Sequence, residues 1–449
     1  MAKLFGTDGV RGVANIEPMT AETALAIGRA TAHVCKRHHN RHRIVIGKDT
    51  RISGYMIETA LTAGICSMGV DVLLVGPMPT PGIAFITHSM RADAGVVISA
   101  SHNPYQDNGI KIFSRDGYKI HDDVEAEIES LVTTKKIKHI RPTANDIGKA
   151  QRIDDAIGRY IVFCKNTFPD DLTLEGLKIV IDCANGATYK MAPIIFSELG
   201  AQVITINDHP NGMNINDHCG ALYPDELAKK VIENKAQVGL AFDGDGDRLV
   251  AIDEKGRPLT GDHIMTICAK ALKECGLLRN NLVITTPMSN FGFREVMRRL
   301  DIHVMEADVG DRYVLKMMRD KGSIFGGEDS GHIIFLNHHT TGDGIISALQ
   351  LLANLQSSGK KLSELRNLLV LAPQKMINVN VSRKPALSEI KPLQEATRAA
   401  EKELHGKGRI LVRYSGTQSI CRVMVESMDA KATDRIATSL AEIVKANLG

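Results

Sequence analysis

The chain has 449 residues, of which 43% are hydrophobic and 24% charged, and its formal net charge is +3. Such a length exceeds what one hydrophobic core supports, so three or four domains are expected, and no apolar run reaches the roughly 20 residues that span a bilayer. The small net charge and the absence of tryptophan argue against a nucleic-acid-binding surface. The N-terminal residues do not resemble a secretory signal, and the eight cysteines form no C-x-x-C pair. Both features predict a cytoplasmic protein with reduced thiols.

Short buried strands alternate with helices along the first two thirds of the chain. In chain order the predicted elements are strand 43–47, helix 53–68, strands 70–75, 94–98 and 178–182, helix 187–200, strands 202–206, 238–242 and 282–286, helix 291–300 and strand 303–306. This order predicts three α/β units.

Each unit also contains two strands joined by a polar loop. The three segments read VVISASHNPYQDNGIKIF, LAFDGDGDRLVAID and SIFGGEDSGHIIF, which suggests diverged copies of one domain that each present a loop to a shared cleft. After residue 369 a strand, a long helix, two strands and a closing helix predict a separate α+β domain. The predicted domains are 1–151, 152–254, 255–369 and 370–449.

The aspartate loop, residues 243–248 (DGDGDR), lies between two predicted buried strands. Asp243, Asp245 and Asp247 can converge on one hard cation, because the intervening glycines let the backbone fold closely. A calcium EF-hand is excluded because its sixth position must be glycine and is Arg248 here. The alternative is a solvated acidic turn. Three carboxylates leave coordination positions open, which suits Mg²⁺ completed by water and a phosphoryl oxygen.

The serine loop, residues 99–104 (SASHNP), follows the strand 94–98 at the sheet edge where α/β proteins usually bind ligands. Ser101 is a candidate phosphoryl carrier, although a serine without a base is a weak nucleophile and the loop alone reads as an ordinary turn. His102 is adjacent, and Lys111 on the next strand is a cation that can approach a phosphoryl oxygen or move a proton. The metal would withdraw charge from a phosphoryl group on Ser101.

Two further loops carry polar groups in glycine-rich surroundings. The sugar loop, residues 326–332 (GGEDSGH), offers Glu328 and Ser330 for vicinal sugar hydroxyls, with a plain hairpin as the alternative. The phosphate loop, residues 413–422 (RYSGTQSICR), presents two guanidiniums, two hydroxyls and glycine-freed N–H groups to a phosphate dianion, with a solvated basic turn as an equal alternative. The His-rich stretch 38–43 is predicted to be an exposed loop.

Five motifs together resemble those of the α-D-phosphohexomutases. They are FGTDGVRG at 5–12, SASHNP at 99–104, DGDGDR at 243–248, GEDSGH at 327–332 and RYSGT at 413–417. The resemblance covers nearly the whole chain in the family's order, and it favours the amino-sugar branch. It implies three related α/β/α domains with mixed sheets and a C-terminal α+β domain around a central cleft. One departure is Gln418-Ser419, where the family usually has Glu-Pro.

The resemblance also implies roles for individual residues. Ser101 is expected to be the phosphoserine, and Ser101, Asp243, Asp245 and Asp247 to hold one Mg²⁺. The residues expected to bind substrate are Glu328, Ser330, Arg248, Arg413, Ser415, Gly416, Thr417 and Arg422. The residues expected to line the reacting centre or assist proton transfer are Arg11, His102, Lys111 and His332.

The implied reaction moves a phosphoryl group between O6 and O1 of glucosamine phosphate, through phosphoserine and glucosamine 1,6-bisphosphate. It would supply amino-sugar nucleotides for the bacterial cell wall, as a monomer or homodimer without nucleic-acid or membrane partners. Three alternatives remain open at this point: the same chemistry on glucose or mannose phosphates, a phosphatase, and a non-catalytic sugar-phosphate sensor.

Overall fold

The computed structural model describes residues 4–6, 8–36, 42–140, 142–415 and 419–449. The chain forms two compact units, the first of Met1–Pro287 with His303–Asn367 and the second of Met288–Ile302 with Leu368–Gly449. None of the described helices combines the length and apolar character needed to cross a bilayer. The described cysteines form no disulfide bond with one another.

The first unit begins with a six-stranded mixed sheet in the order β1-β5-β4-β2-β3-β6. Its elements are β1 (Val10–Val13), α1 (Ala21–Cys35), β2 (Arg43–Lys48), α2 (Ser53–Cys66), β3 (Asp71–Pro77), α3 (Thr80–Ser89), β4 (Ala94–Ile98), β5 (Asp107–Ser114), α4 (Asp122–Thr133) and β6 (Ala150–Arg152). The central strand β4 is buried at every position because helices cover both faces of the sheet, which explains its continuous apolar sequence.

A second sheet of five strands follows in the order β11-β10-β9-β7-β8. Its elements are α5 (Ala156–Lys165), β7 (Lys178–Asp182), α6 (Met191–Glu198), β8 (Gln202–Ile206), α7 (Asp225–Glu233), β9 (Val238–Phe242), β10 (Leu249–Asp253) and β11 (Pro258–Leu259). Helix α7 buries Leu227 and Val231 against this sheet and leaves its charged face in solvent.

A third sheet has four strands in the order β13-β12-β14-β15. The elements of this stretch are α8 (Gly261–Glu274), β12 (Leu282–Thr285), α9 (Phe291–Arg299), β13 (His303–Glu306), α10 (Asp311–Lys321), β14 (Phe325–Gly327), β15 (Ile333–Phe335), α11 (Gly344–Ser358) and α12 (Leu362–Arg366). All of them belong to the first unit except α9, which belongs to the second.

The three sheets share one four-stranded core. The matching orders are β5-β4-β2-β3, β10-β9-β7-β8 and β15-β14-β12-β13. In each, the first pair is antiparallel and the remaining pairs are parallel. The prediction of three related α/β units with mixed sheets is confirmed. The serine, aspartate and sugar loops each connect the antiparallel pair, so they occupy equivalent positions in the three copies.

The second unit contains an antiparallel sheet in the order β16-β18-β17. The three strands are β16 (Gln374–Asn380), β17 (Gly408–Tyr414) and β18 (Ile420–Ser427), and the helices that pack against them are α13 (Lys391–Leu404) and α14 (Ala430–Leu448). The apolar faces of the two helices and of the central strand form one core that includes Leu393, Val423 and Leu440. The predicted α+β domain is confirmed.

Most predicted elements lie within one or two residues of the observed ones. The helix predicted over 187–200 is the main difference, because it begins only at Met191. The preceding residues form turns that the aspartate loop requires, since the N–H of Ala187 donates to the carbonyl of Gly244. The three domain boundaries near residues 151, 254 and 369 stay predictions.

Candidate active site

The serine loop leaves the end of β4 in an unusual backbone conformation. Ser101 has φ +52°, a left-handed value that costs a residue with a Cβ about 1 kcal/mol. A chain of hydrogen bonds holds it there: the Ser101 N–H donates to Ser99 Oγ at 2.9 Å, and the Ser99 hydroxyl donates to Asp49 Oδ2 at 2.6 Å. The side chain of Ser101 is therefore displayed from a fixed point.

Arg51 supports the same loop from beneath. Its guanidinium is fully buried and forms an ion pair with Asp49 at 2.8 Å. Its other N–H groups donate to the carbonyl oxygens of Ser101, Asn103, Pro104 and Asp107. Since buried carbonyls need partners, this single side chain replaces the strand hydrogen bonds that the loop gives up.

The aspartate loop connects β9 to β10 and meets the serine loop directly. The three carboxylates are buried, and one oxygen from each lies within 4.8 Å of the others. The Ser101 hydroxyl donates to Asp243 Oδ2 at 2.7 Å, although 142 residues separate the two in sequence. The structure thus brings Ser101, Asp243, Asp245 and Asp247 together at one place.

The carboxylates of the aspartate loop titrate differently because their surroundings differ. Burial raises the pKa of Asp243 well above its usual range, and the charges of Asp247 and Asp245 add to the effect. Burial and Asp245 likewise raise the pKa of Asp247. Burial opposes ionisation of Asp245 too, but Lys111 and a hydrogen bond from Thr80 outweigh it, so the pKa of Asp245 lies below its ordinary value.

The aspartate loop fits a hard divalent cation. Asp245 Oδ1 and Asp247 Oδ1 are buried and accept no hydrogen bond from any described group, while the second oxygen of Asp245 is occupied by Lys111 and Thr80. Open carboxylate oxygens that repel one another are the donor set that Mg²⁺ or Ca²⁺ binds. A cation at this point would supply the missing partners.

Lys111 lies beside the aspartate loop in a buried charge network. Its ammonium is 3.0 Å from Asp245 Oδ2 and 3.2 Å from Asp8 Oδ2. Burial alone would lower the pKa of Lys111, but the two carboxylates outweigh it and raise the pKa far above its ordinary value. Arg11 also pairs with Asp8. Lys111 therefore stays protonated, which favours charge stabilisation over proton transfer.

The network continues to a neighbouring loop through a second lysine. Lys119 forms ion pairs with both Asp8 and Asp311. Burial opposes its charge, yet these carboxylates raise its pKa above the ordinary value. The alternating signs keep the cations of this region compensated although they are buried.

Two histidines reach the same region. His102 Nδ1 lies 3.2 Å from Ser101 Oγ. Burial, followed by the charges of Arg248 and Arg11, lowers the pKa of His102 to about 4, so its ring is neutral at pH 7. His332 is buried, and neither of its ring nitrogens has a hydrogen-bond partner among the described groups.

These side chains open onto a cavity of about 570 Å³. The sequence-predicted residues that line it are Arg11, Ser101, His102, Asp247, Arg248, Glu328 and His332. Glu328 Oε1 accepts a hydrogen bond from the Gly310 N–H at 3.1 Å, which fixes the carboxylate, and none of the described groups forms a hydrogen bond with its other oxygen. Ser330 is exposed and does not line this cavity.

The phosphate loop belongs to the second unit and joins β17 to β18. Arg413 and Arg422 lie directly opposite each other in the antiparallel pair. Ser415 is buried, and Lys384 donates to its carbonyl at 2.7 Å. Gly416, Thr417 and Gln418 lie outside the described residues, as does most of the His-rich stretch 38–43.

Several residues that build the site were not selected from the sequence. They are Asp8, Asp49, Arg51, Thr80, Lys119, Asn216 and Asp311. Asp8 falls inside the motif at 5–12, and Asp311 falls inside a further stretch that resembles the family, DVGDRY at 308–313, so attention to every charged residue of these stretches would have found them. The others have no local signal, because each acts on a loop distant in sequence.

Comparison with known proteins matches four family models in succession. They are described as phosphoglucomutase/phosphomannomutase domain I over residues 2–139, domain II over 159–256, domain III over 260–371 and the C-terminal domain over 376–443. Together they account for most of the chain in the order that the sequence motifs predicted.

Full-length relatives and solved structures agree with this assignment. Proteins named phosphoglucosamine mutase from Syntrophus aciditrophicus and Geobacter sp. strain M21 are each 56% identical, covering 100% of this chain and 100% and 99% of theirs. A crystal structure of a phosphoglucomutase/phosphomannomutase family protein from Burkholderia thailandensis shares the fold, with a TM-score of 0.82, 24% identity and coverage of 100% of this chain and 98% of that one. Matching domains along the whole chain, close full-length relatives and a common fold together show that this chain belongs to the phosphoglucomutase/phosphomannomutase family, the α-D-phosphohexomutases.

Proposed function

We propose that this enzyme is a phosphoglucosamine mutase, which interconverts glucosamine 6-phosphate and glucosamine 1-phosphate through phosphorylated Ser101. The observation that carries the proposal is the 2.7 Å contact between Ser101 Oγ and Asp243 inside a buried triad of carboxylates. The relatives that bear this name match the chain over its full length. A serine in contact with a divalent-cation site can carry a phosphoryl group whose negative charge the cation offsets during transfer.

In the proposed reaction, the bond between phosphorus and Ser101 Oγ breaks while a bond between phosphorus and the sugar O1 or O6 forms. The product, glucosamine 1,6-bisphosphate, reverses its orientation in the site. It then returns its other phosphoryl group to Ser101. Mg²⁺ held by Asp243, Asp245 and Asp247 would polarise the phosphoryl oxygens and stabilise the seryl oxygen as it leaves.

The chain's own residues have distinct proposed tasks. Lys111 and Arg11 are permanent cations that stabilise negative charge on the transferring group. His332 lines the cavity, and its ring nitrogens make no hydrogen bond to a described group, although Nε2 lies 3.7 Å from Asp311 and 3.9 Å from Asp247; we assign it the proton of the attacking sugar hydroxyl. His102 is neutral and orients the Ser101 oxygen rather than pairing with a phosphate.

Substrate binding is assigned to three sets of residues. Glu328, which lines the cavity, and Ser330 of the same loop are assigned to the sugar hydroxyls, and Arg248 lines the same cavity as Glu328. The phosphate that is not transferred is assigned, from the sequence, to Arg413, Ser415, Gly416, Thr417 and Arg422. A monomer or homodimer, a cytoplasmic location and a role in supplying amino-sugar nucleotides for the cell wall belong to the same proposal and rest on sequence alone.

The decisive experiment is an assay of the purified protein with glucosamine 6-phosphate, Mg²⁺ and a catalytic amount of glucosamine 1,6-bisphosphate. We expect glucosamine 1-phosphate to form only with Mg²⁺, and faster when bisphosphate is present. The kcat/KM values for glucose and mannose phosphates, measured in parallel, should be lower.

Other outcomes of the same assay identify the alternatives. A higher kcat/KM for glucose or mannose phosphate would assign the chain to another branch of the family. Inorganic phosphate released at the mutase rate would indicate a phosphatase, since a water-excluding site suppresses hydrolysis. Binding of the sugar phosphate without turnover would indicate a sensor.

A further inference from the structure

A buried asparagine links the serine loop to the aspartate loop. Asn216 lies between β8 and α7, in the second α/β copy, and is 8% exposed. Its side-chain amide donates to the carbonyl of Ser101 at 2.9 Å and to that of Asn103 at 3.0 Å. One side chain from the second copy therefore bonds to two carbonyls of the serine loop in the first copy, one on either side of His102.

The same amide also touches the aspartate loop. A Cβ placed on Gly244 would lie 2.6 Å from the Ser101 carbonyl oxygen and 2.7 Å from Asn216 Nδ2. Only a glycine between Asp243 and Asp245 therefore allows the two loops to approach this closely. The amide of Asn216, the backbone of Gly244 and the carbonyl of Ser101 form one packed junction.

The backbone of Asn216 is itself held firmly. Its N–H donates to the carbonyl of Ala184 at 2.9 Å, and its φ of +57° is a left-handed value that asparagine tolerates well. Arg51 approaches the same two carbonyls from within the first copy, at 2.9 Å and 2.8 Å. The two donors come from different α/β copies, so they tie the position of Ser101 to both.

We propose that Asn216 is a positioning residue for phosphoryl transfer at Ser101, because its amide sets the approach of the serine loop to the aspartate loop. This inference rests on the proposed mutase function. Reacting groups must meet within a fraction of an ångström, and a displacement of about 1 Å can cost on the order of a hundredfold in rate. Loss of the amide is therefore expected to lower kcat and leave sugar binding nearly unchanged.

Two variants separate the effect of the side-chain amide of Asn216 from the effect of its left-handed backbone. Asn216→Gly keeps the left-handed backbone at no steric cost but removes the amide, and Asn216→Asp keeps the shape but cannot donate. The matched control is Asn214→Ala in the same loop, whose amide donates to the His209 carbonyl and does not reach the serine loop. All three are compared with the wild type by kcat, KM, midpoint of thermal unfolding and hydrogen exchange of a peptide covering 99–104.

We expect kcat to fall about 10- to 100-fold in both Asn216 variants, with KM changed less than about threefold, and exchange in 99–104 to accelerate. The Asn214→Ala control should match the wild type in kcat and in that exchange. A wild-type kcat and unchanged exchange in Asn216→Gly would overturn the inference. If the wild type itself lacked mutase turnover, the proposed function would fail separately, and exchange alone would decide whether Asn216 holds the loop.

Discussion

The serine loop and the phosphate loop both carry groups suited to phosphate, but they are built in opposite ways. The serine loop buries its residues 99–101, its carbonyls are held by Arg51 and Asn216, and the Ser101 hydroxyl contacts Asp243. In the phosphate loop, Arg413 and Arg422 face each other across two strands, and within the described residues neither guanidinium pairs with a carboxylate.

The difference shows how the two loops obtain their charge balance. Near Ser101, the buried lysines alternate with carboxylates, and Arg51 and Asn216 hold the loop before any substrate arrives. Two arginines directly opposite each other repel, which costs stability that a bound anion would return. Under the proposed function, the serine loop would support chemistry on a fixed atom, whereas the phosphate loop would gain stability when a phosphate binds.

The sharpest test of this contrast is the loss of the Ser101 oxygen. Ser101→Ala should lower kcat by at least about 10⁴-fold, because no carrier for the phosphoryl group remains. Mass spectrometry of the wild type should show one phosphoryl group on Ser101, and none on the variant. Turnover of the variant within tenfold of the wild type would refute the assignment of the carrier, and an unchanged midpoint of thermal unfolding would exclude misfolding.

A smaller loss of activity, with a gain of stability, is expected from Asp247→Asn. The substitution removes one of three buried carboxylates, whose pKa is raised by burial and by the like charge of Asp245. Without metal the variant should unfold at a higher temperature than the wild type, while kcat falls about 10²- to 10³-fold. Mg²⁺ should raise the unfolding temperature of the wild type and barely affect the variant. A less stable metal-free variant would contradict the repulsion argument.

A substitution in the phosphate loop should change KM more than it changes kcat. Arg422→Ala removes one member of the opposed arginine pair, so KM should rise about 10- to 50-fold while kcat falls less. The unfolding temperature without ligand should stay equal or rise slightly, and stabilisation by inorganic phosphate should disappear. Arg398→Ala, on the exposed face of α13, is the control for loss of one positive charge in the same unit. Equal KM values for the two variants would remove the role of Arg422.

The smallest effect concerns stability at mildly acidic pH, away from the reacting centre. His339 is buried, and its Nε2 lies 2.9 Å from the Pro81 carbonyl. Burial lowers its pKa from 6.5 to about 4, so the unfolded chain takes up a proton between these values and the folded chain does not. The contribution of His339 to stability is fully present well above pH 6.5 and is lost as pH decreases toward 4, by on the order of 2 kcal/mol at pH 5.

His339→Gln should therefore lose less stability than the wild type between pH 7 and pH 5, although it is less stable at pH 7. Thermal unfolding at several pH values measures the difference in slope. His209→Gln, at a side chain that is 93% exposed, should keep the wild-type slope. Identical slopes for all three proteins would show that His339 does not resist protonation in the folded state.

Sequence reasoning reached the fold and the loops because each has a local signal. The strand Val238–Phe242 is a continuous apolar run followed by alternating aspartates and glycines, which predicts a buried strand and a hard-cation loop together. Ser101 was selected by its place after a buried strand and by the family motif. The sequence did not indicate roles for Asp49, Arg51 and Asn216, because a charged or amide side chain in a polar loop resembles a solvated residue until its distant partners are known.

The amino-acid sequence by itself determined the three repeated α/β units, the C-terminal α+β domain and the residue types of the four loops, because hydrophobic periodicity and turn chemistry act over neighbouring residues. Only the tertiary structure decided that Ser101 meets Asp243 across 142 positions, that Lys111 stays charged, and that Asn216 joins two copies. Contacts, burial and pKa values depend on which distant side chains fill the same space, and no local pattern encodes that.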